Sequence, residues 1–196
     1  MDQPSPIPDA IPVVSLRDAP GERAAWGRNW IIVYAWGFVE WLVVTNALQI
    51  SSRLRVLALR CFGARIGSNV IFRPRTRVRF PWKLTIGDDC WIGEGVWIHN
   101  QDAVTIGHDV VISQESMITT GSHAHRRDMA LLTAPITIDD GVWITSRCVV
   151  LGGSHLGRSS LVTPGSVVSG SIAPGQIVGG NPCVHVGTRF PAPGSA

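Results

Sequence analysis

The chain has 196 residues, enough for one domain with an appended element, and 45% of them are hydrophobic, which excludes a globally disordered protein. Only 16% are charged, fewer than a soluble monomer usually carries, so part of the surface is expected to be covered by other copies, by a membrane, or by both. The net charge is +3, and Cys61, Cys90, Cys148 and Cys183 form neither a CxxC pair nor a cluster with histidine, which argues against zinc and against a disulfide framework.

Residues 1–25 are rich in proline and acidic residues, lack the plan of a secretory signal, and read as a disordered tail. Residues 26–63 read as a helical extension. Between Arg28 and Arg53 the only charge is Glu40, and Trp26, Trp30, Trp36 and Trp41 lie in or beside this stretch. A helix apolar on all sides is buried in protein or in lipid. Two readings therefore stand: a cap over the open edge of the sheet that follows, or an interfacial anchor on an anionic cytoplasmic leaflet. The apolar run is short for a membrane span. No acidic residue occurs between Glu40 and Asp88, and Arg73, Arg75, Arg77 and Arg79 alternate there. Neither aromatic interleaving nor a known motif accompanies them, so no nucleic-acid partner is expected.

From residue 64 to residue 189 an aliphatic or aromatic residue recurs every six positions. The sets are Ile66, Phe72, Val78; Ile86, Ile92, Ile98; Ile106, Ile112, Ile118; and a run Ile138, Ile144, Val150, Leu156, Val162, Val168. Three hexads make one triangular coil, so the spacing predicts an all-β fold, a left-handed parallel β-helix. Strands of a sandwich would alternate with period two instead. Gly, Asn and Asp near the anchors suit tight or left-handed corners. Successive sets step by 20 rather than 18 residues, which places two extra residues at one corner of each coil. Residues 121–135 lose the pattern and read as a loop projecting from a corner, the usual place for a binding site in a solenoid. Residues 190–196 read as a C-terminal tail.

The segments LTIGDDCWIGEGVWI (84–98), VTIGHDVVISQESMITTGSH (104–123), PITIDDGVWI (135–144) and IVGGNPCVHVG (177–187) resemble the hexapeptide-repeat acyltransferases. The likeness is to the colanic-acid O-acetyltransferase branch of the galactoside, maltose and nodulation acetyltransferases. The resemblance implies a homotrimer with acetyl-CoA along the groove between adjacent helices, no metal, and a sugar or lipid-linked sugar acceptor near the same interface. It implies His123 as catalytic base, with Ser122 as one extra residue after the Thr-Gly. It makes Asn100, Asp102 and Glu94 acceptor-binding candidates, with Gln101 where the galactoside enzymes carry an acidic residue. Along the cofactor groove it implies Trp143, Thr145, Ser146, Pro164, Gly165 and Ser169. Thr145 replaces a glycine and Gly170 a lysine found in relatives, for which Arg158 or Arg189 would have to compensate.

The chemistry asks little more. A thioester is already activated, a hydroxyl needs a base near neutral pH, and imidazole has the right intrinsic pKa. A backbone N–H serves the oxyanion. His125 is the rival base in the same loop; His99, His108, His155 and His185 read as corner or surface residues. The expected reaction is acetyl transfer to a sugar hydroxyl in exopolysaccharide assembly, in the cytoplasm or at the inner face of the plasma membrane. The alternatives are another small acceptor, such as an antibiotic or an amino sugar, and a non-catalytic trimeric scaffold. A metal hydratase would need three convergent histidines, which the spacing of His99, His123 and His125 does not supply.

Overall fold

The computed structural model describes residues 11–190. The first ten residues of the expected N-terminal tail and the C-terminal tail beyond Phe190 lie outside the described residues. From Arg65 onward the chain winds into a left-handed parallel β-helix of about six coils. Strands of successive coils pair in parallel into three faces. The first face runs from Arg65–Ile66 to Ser171–Ile172, the second from Ile71–Phe72 to Gln176–Gly180, and the third from Arg77–Val78 to Val167–Val168.

The hexad anchors stack in register. Ile66, Ile86, Ile106, Ile138 and Leu156 form one inward column. Phe72, Ile92, Ile112, Ile144 and Val162 form the second. Val78, Ile98, Ile118, Val150 and Val168 form the third. All are buried, as are the smaller residues two positions before them, among them Cys90, Val96, Val110, Val142 and Cys148. Burying one such aliphatic contributes about 1.5–3 kcal/mol, so the core is a stack of equivalent layers rather than one centre.

All variation in coil length falls on one corner, between the third face and the next first face. Val78 to Ile86 and Ile98 to Ile106 take eight residues, Ile118 to Ile138 takes twenty, and Val150 to Leu156 takes six. The glycines that follow the anchors are explained differently from the expectation. Gly87, Gly93 and Gly157 have ordinary φ, but a Cβ at each would lie within 2.9 Å of backbone atoms of the next coil. The left-handed conformation occurs two residues later, at Asn69, Asp89 and Asp109 on one corner and at Arg75, Gly95, Glu115 and Arg147 on another.

The N-terminal segment closes the first coil. Helix α1 (Trp30–Val39) begins at Asn29, whose side chain accepts the Ile32 N–H at 3.0 Å. Helix α2 (Ser52–Cys61) begins at Ser51, whose hydroxyl accepts the Leu54 N–H at 3.3 Å. The first strand of each face has backbone groups with no coil beneath them, and these helices pair them. Trp36 Nε1 donates to Val78 O at 2.8 Å, and Glu40 Oε1 accepts the Val78 N–H at 2.7 Å. Ser52 accepts the Phe72 N–H at 2.9 Å, and the Arg60 guanidinium donates to Ile66 O and Gly67 O. The capping reading of the extension thus has a hydrogen-bond partner on every face.

The outer side of α1 and of the turn that follows it is apolar as well: Trp30, Ile31, Tyr34 and Phe38 on the helix and Trp41 and Leu42 just beyond it are exposed. Among the described residues, no helix is long and apolar enough to cross a membrane. The expected tail is anchored before its end. Glu22 pairs with Arg79, Lys83 Nζ donates to Ala25 O, and Trp82 Nε1 donates to Trp26 O. At the far end a hairpin of Gln176–Gly180 and Cys183–Thr188 finishes the second face.

Candidate functional site

The long corner carries His123. Residues Gly121–His123 and Leu131–Thr133 form an antiparallel arm that leaves the coil and returns to it. At its root, Thr120 N–H donates to His99 O and Ala134 N–H donates to Thr120 O. Gln101, nearly buried, packs so closely beneath Gly121 that its Oε1 would collide with any side chain there. At the tip, His123 Nδ1 lies 2.8 Å from Met129 O, and the ring is otherwise exposed. A carbonyl only accepts, so Nδ1 carries the proton and Nε2 is left as a free acceptor facing solvent. Met129 holds this carbonyl in place from a left-handed φ of 57°. His125 is exposed on the same arm, and its backbone N–H donates to His123 O.

The polar residues expected around the acceptor divide. Asp102 is at the arm's root: its N–H donates to Thr120 Oγ1 at 2.8 Å and its Oδ1 accepts the Ala103 N–H. Asn100 does not face a ligand. It is fully buried, accepting the Phe80 N–H at 3.0 Å and donating to Phe80 O at 2.7 Å, so its amide holds two coils together at the corner. Glu94 lies on a different corner, between the second and third faces, paired with Arg75 at 2.5 Å.

That second corner is a continuous ridge. Backbone bonds stack Glu115 on Glu94, Arg147 on Gln114 and Gly165 on Ser146. Gln114, Ser146, Arg147, Pro164 and Gly165 border an open groove of about 530 Å³ on it. Non-glycine residues with left-handed backbone, each costing about 1–2 kcal/mol, cluster here as Arg75, Glu115 and Arg147. Trp143 stands beside the ridge on the second face, its Nε1 donating to Ser113 Oγ at 3.0 Å. Thr145 corrects the expectation: it is buried, and Oγ1 donates inward to Val162 O at 2.6 Å, so its side chain is part of the wall behind the groove. Ser169 is exposed on the third-to-first corner, away from Pro164 and Gly165. Arg158 pairs with Asp140 and Arg189 donates to Gly141 O, both on the corner between the first and second faces, whereas Gly170 lies on the corner between the third and first.

One residue escaped the sequence reading. Trp91 shares the outward column of Trp143, with Val111 between them, and is 59% exposed. Its signal was an aromatic at the outward position just before an anchor, where a solenoid wall has no need of one.

The chain aligns with the "Putative colanic acid biosynthesis acetyltransferase WcaF" of Escherichia coli K12 at 37% identity over 164 residues, 83% of this chain and 90% of that one. The chain belongs to the hexapeptide-repeat acetyltransferases. It is also 30% identical to the galactoside O-acetyltransferase of the same organism over 124 residues, 61% of each chain. The fold superimposes on a hexapeptide-repeat acetyltransferase from Vibrio cholerae solved with acetyl coenzyme A. The TM-score is 0.75 at 24% identity, covering 82% of this chain and 88% of that one. No family model matches the chain.

In this acetyltransferase the arm and the ridge belong to different corners of the same coils. They are separated by the width of the third face, about five residues or roughly 16 Å at strand rise. A single copy does not bring His123 to the groove beside Ser146.

Proposed function

We propose that this acetyltransferase moves the acetyl group of acetyl-CoA to a sugar hydroxyl in exopolysaccharide assembly, with His123 as the general base. The observation that carries this reading is the 2.8 Å bond from His123 Nδ1 to Met129 O, which leaves Nε2 as an oriented acceptor on an exposed arm. The names of the two E. coli relatives support acetyl transfer to a glycan, and the V. cholerae complex supports acetyl-CoA as donor.

Nε2 takes the proton of the hydroxyl as its oxygen bonds to the thioester carbon. The resulting oxyanion is met by a backbone N–H near Ser146. The carbon–sulfur bond then breaks, and His123 passes its proton to the leaving thiolate. Trp143 offers flat apolar area to the pantetheine arm, and Pro164 and Gly165 continue that wall. Asp102, with Gln101 beside it, faces the acceptor. Because arm and ridge lie a face apart in one chain, the site is completed by a second copy. A closed ring of three copies, with one site at each interface, satisfies every chain equally. The outward Trp and Tyr of α1 suit the interface of the inner membrane leaflet, where such acceptors are built.

The test is CoA release from acetyl-CoA with a panel of sugars, wild type beside His123→Ala. The expected result is acceptor-dependent release that falls about 10²–10⁴-fold in the variant, with acetyl-CoA binding intact. Unchanged release in His123→Ala would overturn the assignment of the base and transfer the role to His125.

A further inference from the structure

A second recess lies on the third face, one coil below the root of the His123 arm. It has a volume of about 350 Å³, is open to solvent, and is lined by Arg77, Arg79, Trp97 and His99 of the coils, with Glu40 and Trp41 of the turn after α1 on its outer wall. Its floor is an outward column: Arg77 is in register beneath Trp97, and the guanidinium lies 5.5 Å from the indole centroid. Trp97 meets His99 edge-on at 5.1 Å. Among the described residues no carboxylate pairs with Arg77. Arg79 gives Nη2 to Glu22, but its Nε is buried without a partner. The wall opposite is shaped by a wide turn in which Thr45 N–H bonds back five residues to Glu40 O at 2.8 Å. Such turns recur at functional sites.

We propose that this recess binds the phosphate of a phosphorylated sugar acceptor, with Arg77 and Arg79 on the phosphate oxygens and Trp97 beneath the sugar ring. The proposal rests on the acetyl-transfer reading above and names the class of acceptor that site would take. Two separately mounted guanidinium groups match a dianionic ester better than a single carboxylate. The indole of Trp97, with His99 at an angle beside it, supplies flat apolar area for the sugar ring next to the Arg77 guanidinium. The opposing charges are Glu22, which is already paired with Arg79, and Glu40 on the helical wall, whose carboxyl burial pushes up to about 7, so about half of the Glu40 charge is absent at neutrality. The position fits the reaction. His99, at the upper rim, accepts the Thr120 N–H through its carbonyl, and the three residues from Thr120 to His123 span about 10 Å. An ester held at Arg77 thereby has its sugar directed toward the arm.

The experiment is calorimetric binding to the full chain, without acetyl-CoA, of a hexose 1-phosphate, the parent hexose and the corresponding hexuronate. The expected result is hexose 1-phosphate bound at least tenfold more tightly than the other two. Arg77→Gln should abolish that preference and Arg77→Lys should restore part of it. Equal binding of phosphate and hexose, tighter binding of the hexuronate, or an undiminished preference in Arg77→Gln would overturn the proposal. Phosphate-dependent binding with no acetyl transfer to any acceptor would instead sink the acetyl-transfer reading and leave the recess standing. A nucleotide-diphosphate hexose and a short polyprenyl-diphosphate hexose, compared in the same detergent, then distinguish a soluble source from a lipid-linked one. A preference for either that Arg77→Gln removes supports the assignment.

Discussion

His123 is steered by a main-chain carbonyl, so its orientation depends on the backbone of a residue six positions away. Met129 O meets Nδ1 at 2.8 Å from a residue whose backbone sits at φ 57°. Glycine takes that conformation at little cost, whereas proline, with φ fixed near −65°, is excluded from it. Met129→Gly is therefore expected to keep kcat within a few fold. Met129→Pro should lower it by one to two orders of magnitude, the range of a mis-set general base, with acetyl-CoA affinity unchanged. Steady-state kinetics and acetyl-CoA titration of the two variants check this, and equal activity in both would show that the carbonyl contact is dispensable. The TTGSH motif singled out His123 in the sequence as the candidate base, but the carbonyl beside it was not legible there, because a carbonyl belongs to every residue type. Asn100 and Thr145 failed as ligand assignments for a related reason. Their side chains are polar, and the sequence does not say that Phe80 and Val162 turn backbone groups toward them.

At the scale of elements, the hexad exposed the solenoid because each anchor reports a whole short strand, and fifteen anchors share one register. The helical extension was less readable. A segment apolar on every side fits a cap and a lipid contact equally, and the structure gives it both an inward and an outward apolar side. What marks the cap is Glu40, the lone acid of that segment, which accepts the Val78 N–H and is raised from 4.5 to about 7 by burial, against the opposing pull of that hydrogen bond, Arg79 and Arg77. The folded state thus holds a proton that the unfolded chain has lost between these values. Stability from this group is complete below about 4.5, falls as pH rises toward 7, and then levels, a change on the order of 3 kcal/mol. His99 faces the same recess and is lowered chiefly by burial, so its contribution runs the opposite way below 6.5. The difference between wild type and Glu40→Gln isolates the carboxyl, since the amide oxygen still accepts the Val78 N–H. The variant is expected to melt higher than wild type at pH 8 and to match it at pH 4.5. Parallel melting curves across that range would refute the assignment.

For the whole molecule, the decisive geometry is the face that separates the arm from the ridge. Low charge, the exposed indoles of Trp91 and Trp143, and a groove open on one side are the features on which the proposed shared site rests. If His123 of one copy serves the groove of the next, two inactive chains can repair one another. His123→Ala lacks the base and keeps the groove, while Ser146→Trp fills the groove and keeps the base. In a ring assembled at random from equal amounts, an interface works when the copy giving the arm carries Ser146→Trp and the copy giving the groove carries His123→Ala. That arrangement occurs at about one interface in four. Refolding or co-expressing the two chains should therefore restore about a quarter of wild-type acetyl transfer per site, with each variant alone inactive. Mixing preformed assemblies without exchange should restore nothing, which serves as the internal control. If arm and groove came from the same chain, every site in the mixed ring would carry one defect, and activity would stay at the level of the single variants however the copies were combined.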